Sequence, residues 1–104
     1  MELRHIPCSD PRAPGEPALR RVLEAEGFEV VSWRDPADRV YAPHCHGEDE
    51  RLCVLRGRIV LKVGGRDFAL GPGDQLELPR GTVHSAQAGP DGAVYLIGRR
   101  RNGA

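Results

Sequence analysis

The chain has 104 residues, with fifteen basic and fifteen acidic side chains and a formal net charge of zero. From this length we expect one domain that buries about 60–70% of the surface its unfolded chain exposes. The balanced charge gives no reason to expect a nucleic acid or an anionic membrane as a partner, and no stretch approaches the ~20 apolar residues that span a bilayer. Three cysteines, an odd number, and the lack of an N-terminal apolar run typical of a signal peptide predict a location in the reducing cytoplasm.

The N-terminal part of the chain holds an arm followed by a helix. Leu3 to Ile6 favours a short edge strand, and the prolines within residues 7–15 predict an extended connection, because proline lacks a backbone donor and fixes φ. The segment that follows has Pro17 in its first turn, Gly27 just past its end and apolar residues at every third or fourth position. It is therefore predicted to be a helix that packs on a larger body.

From Phe28 onward the hydrophobic period changes to two, which is typical of β-strands. Turn-forming residues separate the alternating runs, and Gly64-Gly65 is a two-residue hairpin signal. About eight short strands at regular spacing favour a sandwich or a barrel. The predicted strands are Glu29–Trp33, Arg39–His46, Arg51–Leu55, Arg58–Val63, Arg66–Leu70, Gln75–Leu78, Val83–Gln87 and Ala93–Arg99.

Candidate metal ligands cluster around the second of these strands. His44 and His46 are two residues apart, so their side chains point to one face of a strand. Glu50 follows a turn-prone glycine, and His84 opens a later apolar strand after a Pro-x-Gly turn. Nitrogen and carboxylate donors of this kind suit iron, manganese, nickel, copper or zinc and exclude a calcium-type cage of oxygens. We therefore predict a metal bound by His44, His46, Glu50 and His84. The alternative is that the histidines pair with Glu50 in a metal-free polar pocket.

The spacing of these residues, with the glycines and the proline that accompany them, resembles the paired motifs of the cupin superfamily. In the first motif, two histidines, a glutamate and a glycine fall on His44, His46, Glu50 and Gly57. In the second motif, a glycine, a proline, a glycine and a histidine fall on Gly73, Pro79, Gly81 and His84. The chain departs from the family pattern at Asp38, where a glycine is usual, and at Ala88, where an asparagine is frequent. These departures concern loop detail and pocket polarity, because neither position supplies a metal ligand in the family.

The resemblance covers most of the chain, from Phe28 to Gly98, and it implies a fold. That fold is all-β, a small jelly-roll (double-stranded β-helix) cupin barrel with the metal inside and one short N-terminal helix. Residues 1–27 would be the arm and packing helix, and residues 28–104 the cupin barrel, within a single structural domain.

Strand alternation also predicts the wall of a ligand pocket. Leu52 and Val54 share the parity of Glu50, while Thr82 and Ala86 share that of His84, so these four side chains would point inward beside the metal. Each of them is equally compatible with plain barrel core. Cys45 lies between the two histidines and is therefore expected on the opposite face.

A catalytic acid or base is not identified by the sequence. Four side chains are chemically able to transfer a proton, namely Tyr41, Glu77, Arg80 and Tyr95. Their spacing in the sequence does not place any of them next to the metal. Tyr41 has the parity of Cys45 and is expected to face away from the site. No organic cofactor is predicted.

Cupins include dioxygenases, isomerases, decarboxylases, epimerases, storage proteins and ligand-sensing domains, so the fold alone does not give a function. The first hypothesis is a metal-dependent protein that acts on a small molecule coordinating the metal, with dioxygenase-type chemistry if it is an enzyme. The second is a non-catalytic module that binds a metal or small ligand, and the third is a structural barrel with a vestigial site.

Two further expectations concern partners. Apolar residues at outward positions, among them Leu55 and Val60, predict a homodimer. The Arg99-Arg-Arg101 run is interpreted as a solvated tail and not as a nucleic-acid site, because no aromatic side chain is interleaved to stack bases.

Overall fold

Seven antiparallel strands form one sheet in the computed structural model, which describes residues 1–9 and 15–100. The elements in chain order are β1 (Arg4–Ile6), α1 (Glu16–Ala25), β2 (Glu29–Asp35), β3 (Val40–His44), β4 (Asp49–Val63), β5 (Arg66–Leu70), β6 (Gln75–Leu78) and β7 (His84–Arg100). The prediction of an all-β fold with one short helix is confirmed in these residues. Of the predicted extended connection, residues 10–14 lie outside the described part, as does the last arginine of the C-terminal run.

Two long strands organise the sheet. The strand order is β1-β6-β4-β7-β2, with β5 pairing to the far end of β4 and β3 pairing to the start of β7. Each long strand thus changes partner along its length. The N-terminal half of β4 pairs with β6 and its C-terminal half with β5, while β7 pairs with β3 first and β2 later. The two long strands also pair with each other, and β7 begins beside the end of β3.

The prediction that β4 and β7 would each be two separate strands is wrong. The pairing of β4 with β7 continues through register shifts on both sides of Arg56 and Gly57. Gly57 and Gly92 adopt φ values of 74° and 79°, a conformation that glycine reaches without a steric penalty. Such residues make β-bulges, which insert an extra residue and bend the strand without ending the ladder.

Apolar side chains form two groups, one on each face of the central strands. The larger group fills the interior between the strands and includes Leu61, Leu76 and Val54. The smaller group lies under α1, where Leu19 and Leu23 of the helix meet side chains of the sheet. The prediction of a packing helix is confirmed, because its two leucines are buried at 5% and 1% exposure.

Candidate metal centre

Three histidines converge at one end of the sheet. The ligand nitrogens of His44, His46 and His84 all lie within 4.8 Å of one another. His44 ends β3 and pairs across the sheet with His84, the first residue of β7, and His46 follows two residues later on the turn toward β4. The rings of His44 and His84 have centroids 4.4 Å apart, and those of His44 and His46 are 4.8 Å apart. The structure thus brings together all three histidines that the sequence predicted as ligands.

Main-chain carbonyls fix the orientation of two of these rings. His44 Nδ1 is 2.7 Å from the carbonyl oxygen of Ala42, and His84 Nδ1 is 2.9 Å from that of Thr82. A carbonyl can only accept a hydrogen bond, so Nδ1 carries a proton and Nε2 is the nitrogen through which the neutral ring can bind a metal. Neutral imidazole with Nδ1 bonded to a carbonyl is the usual state of a metal-ligating histidine. The three donors therefore fit a divalent transition metal.

His46 contacts a buried carboxylate. Its Nε2 lies 3.6 Å from Oε1 of Glu50. Burial lowers the pKa of His46, and the neighbouring His44 and His84 lower it further, while the Glu50 carboxylate opposes them. The ring is therefore held toward the neutral form that binds a metal.

Glu50 itself is shared between this histidine and an arginine. Oε2 of Glu50 accepts a hydrogen bond of 2.8 Å from Nε of Arg99, which is its direct partner across the pairing of β4 with β7. Glu50 is buried beside the three-histidine cluster. Its role as the fourth ligand stays a prediction.

A cavity of about 120 Å³ opens onto the cluster. The three histidines, Glu50 and Arg99 line it, and two tyrosines and other aromatic and aliphatic side chains supply the rest of its wall. Of the four predicted pocket residues, Leu52 and Ala86 line this cavity. Val54 and Thr82 do not, which corrects the prediction. Val54 shares the face of Leu52 but is 0% exposed within the interior core, and Thr82 precedes β7 and contributes its carbonyl to His84.

A second polar cluster, missed by the sequence analysis, lies at the cavity wall around Asp35. This carboxylate is 3% exposed and accepts hydrogen bonds from Tyr41 Oη, from Tyr95 Oη at 2.6 Å and from Trp33 Nε1 at 3.0 Å. The three donor residues all line the cavity. Burial raises the pKa of Tyr95, and its hydrogen bond to Asp35 raises it further, so Tyr95 stays protonated. Asp35 is not among the predicted site residues, although its spacing of two from Trp33 places both on one face of a strand.

Tyr41 faces the cavity, so the prediction that it would face away is wrong. Its ring centroid lies 6.5 Å from that of His44. The pairing of β3 with β7 shifts register between Tyr41 and His44, and this irregularity breaks the alternation on which the prediction depended. Cys45 is exposed and does not line the cavity.

The other two acid–base candidates do not line the cavity. Glu77 is buried in an ion pair with Arg51, which also pairs with Glu26 beyond the end of α1. Burial opposes the charge of Arg51, but the two carboxylates outweigh it and raise the pKa of the guanidinium. Arg80 is exposed and donates a backbone hydrogen bond to Asp49. The ion pairs of Arg51 join the sheet to the end of the helix.

Comparison with known proteins agrees with this fold. The chain is similar to KdgF from Halomonas sp., with 31% identity over 72% of this chain and 71% of that one and a TM-score of 0.60. An uncharacterised protein with a double-stranded β-helix domain from Klebsiella pneumoniae is 24% identical over 72% and 68% of the two chains, with a TM-score of 0.62. YcfD, a ribosomal oxygenase from Escherichia coli in complex with cobalt and succinic acid, is 22% identical with a TM-score of 0.70, covering 84% of this chain and 28% of that one.

These likenesses identify the fold as a jelly roll. No curated protein matches the chain. Within the described residues, no helix combines the length and apolar character needed to cross a bilayer. The family model described as "Cupin domain" matches residues 33–97, which is more than half of the chain and contains all three histidines. The protein therefore belongs to the cupin domain family.

Proposed function

We propose that this cupin binds a divalent transition metal through His44, His46 and His84 and acts on a small molecule that coordinates the same ion, with dioxygenase-type chemistry. The observation that carries the proposal is the convergence of three histidine nitrogens within 4.8 Å at the cavity. Three protein ligands leave about three positions open on a six-coordinate ion, and a fourth ligand from Glu50 would leave two. A substrate and dioxygen would need such open positions.

The protein's own residues would provide the setting for this chemistry. When bound, a metal of this class supplies a Lewis acid or an activator of oxygen. The carbonyls of Ala42 and Thr82 hold two histidine rings in the ligating tautomer. Apolar side chains such as Leu52 and Ile97 form much of the cavity wall and keep water from the bound ligand.

A non-catalytic ligand-binding role is the second candidate, and one observation favours it. Both tyrosine hydroxyls at the cavity already donate to Asp35, and Glu50 is paired with Arg99. Among the described residues of the cavity wall, therefore, each group able to transfer a proton, other than the histidines, is already engaged. A protein that senses or stores a ligand needs no such group.

Metal analysis of freshly purified protein tests the site itself. We expect close to one equivalent of a transition metal in the wild-type chain, strong loss in His46→Ala and little change in Cys45→Ala, because only the histidine faces the cluster. Less than about a tenth of an equivalent in the wild-type protein, after incubation with each candidate metal, would favour a vestigial site. Equal loss in the two variants would contradict the assignment of faces.

Oxygen consumption separates the two functional candidates. The iron-loaded protein is incubated with a panel of small thiols, diols and diketones, and dissolved oxygen is followed with an electrode. Consumption above that of the His46→Ala variant supports the dioxygenase. Binding of a panel member by the metal-loaded protein with no oxygen consumption supports the non-catalytic module.

A further inference from the structure

Arg99 is the one arginine or lysine that lines the cavity in the part of the chain that the structure describes. Its side chain is 41% exposed, whereas that of its partner Glu50 is 5% exposed. The guanidinium is therefore within reach of a molecule entering the cavity, while the carboxylate it pairs with is enclosed. Arg99 reaches the cluster only through Glu50, which contacts His46, whereas main-chain carbonyls orient His44 and His84.

The hydrogen bond to Glu50 uses little of what Arg99 can donate. It runs from Nε to Oε2 at 2.8 Å, and a guanidinium has five N–H groups, four of them on its two terminal nitrogens. Those four are arranged as a fork that matches a second carboxylate. The existing pair with Glu50 shows that β7 places this guanidinium within hydrogen-bond distance of a carboxylate beside the three histidines.

The charges around the cavity favour an anionic ligand once a metal is present. The charges of Glu50 and Arg99 cancel, so a divalent ion leaves the cavity with a net positive charge. The single negative charge of Asp35 does not fully offset this positive charge, and three hydrogen-bond donors enclose its carboxylate. The electrostatic field in such a low-dielectric cleft raises the local concentration of anions.

The size of the cavity limits the ligand. Its volume of about 120 Å³ is below the ~300–1,000 Å³ typical of sites for drug-sized molecules. We propose that the ligand is a small carboxylic acid with two functions: one group coordinates the metal, and a separate carboxylate is bound by Arg99. This inference rests on the proposed function, because it requires the metal, and it names the class of molecule that the site selects.

Titration calorimetry with a matched pair of probes tests it. Malate carries a hydroxy acid, which chelates metals, and a second carboxylate; in its 4-monoamide that second carboxylate is a neutral group of the same shape. The protein is loaded with zinc, so that no redox turnover complicates the measurement. We expect malate to bind at least about tenfold more tightly than the amide, since a hydrogen bond to a charged group is stronger than one to a neutral group.

Variants assign the preference to Arg99. In Arg99→Gln the affinities for malate and for the amide should become equal within about twofold, through loss of malate affinity, whereas Arg99→Lys should keep part of the preference because it keeps a point charge. Arg100→Gln is the matched control. It removes a charge from the next residue of β7, whose guanidinium lies 4.4 Å from the Phe28 ring centroid and donates to Glu26 on the helix side, so the preference should be unchanged.

Zinc content and thermal melting are measured for every protein before titration. These measurements separate failure of metal binding from failure of carboxylate recognition by Arg99. If the wild-type protein takes up no zinc, the proposed function fails and this inference fails with it. If zinc is bound in full but malate and the amide bind equally, or neither binds, this inference alone is overturned. A preference for malate that persists in a folded, zinc-loaded Arg99→Gln protein also overturns it, since another group would then be binding the carboxylate.

Discussion

Replacing Gly57 by alanine should destabilise the barrel more than the same change at any exposed turn. Gly57 has a φ of 74°, and an added Cβ would overlap the carbonyl oxygen of Gly92 and approach Cα of Ala93 to 3.0 Å. The left-handed backbone costs a non-glycine residue about 1–2 kcal/mol. Forcing the neighbouring backbone apart adds about 1–3 kcal/mol. The expected loss in the free energy of unfolding is therefore about 2–5 kcal/mol.

The matched control is Gly65→Ala in the β4–β5 hairpin. Gly65 has a similar φ of 80°, but an added Cβ there meets no atom within 4 Å. It should lose only the backbone contribution of about 1–2 kcal/mol. Each kcal/mol corresponds to about 4–8 °C in the Tm of a domain of this size, so thermal unfolding of the metal-free proteins, followed by circular dichroism, resolves the difference. Equal Tm values for the two variants would refute the claim that strand contact at Gly57, and not backbone conformation alone, sets the loss.

Three further predictions follow from the site and the surface. Tyr95→Phe should lower the free energy of unfolding by about 1–3 kcal/mol in urea denaturation, because buried Asp35 loses a donor; a change below about 0.5 kcal/mol would contradict this. Cys45 should react with a thiol reagent at pH 8 in the folded protein while Cys53 does not, since burial raises the pKa of Cys53 to about 12; mass spectrometry locates the label, and early labelling of Cys53 would count against it. The chain is expected to form a homodimer, so sedimentation equilibrium at micromolar concentration should give twice the chain mass of 11.4 kDa, and a single-chain mass would disprove that proposal.

The positions of the strands were predictable, but their continuity was not. Alternation located the strands from Phe28 onward, and it was clearest in β4 and β7, where one face packs in the interior. Residues 89–92 are of types that form turns, and the alternating runs on either side of Gly57 were also predicted to be separate strands. The structure has a bulge at Gly57 instead. Which of the two forms depends on the strand that lies alongside, and this is not encoded locally.

The site was predictable where its geometry is local and unpredictable where it depends on pairing across the sheet. The spacing of His44 and His46 indicated a shared face. The Pro-x-Gly turn and the second cupin motif identified His84. The contact between Glu50 and Arg99 follows from the register of β4 against β7, which alternation within one strand cannot supply. The same limitation concealed the Asp35 cluster, because its tyrosines come from two other strands.

The carbonyl bonds that orient His44 and His84 have a consequence for metal selection. Each bond joins a ring to a carbonyl two residues earlier on its own chain segment, so the rings are preorganised before an ion arrives and little rotamer entropy is lost on uptake. Competition among ions should then follow their intrinsic preference for imidazole nitrogen, rising from manganese to copper. The metal found in the cell would thus reflect which ions are available there more than any discrimination by the protein.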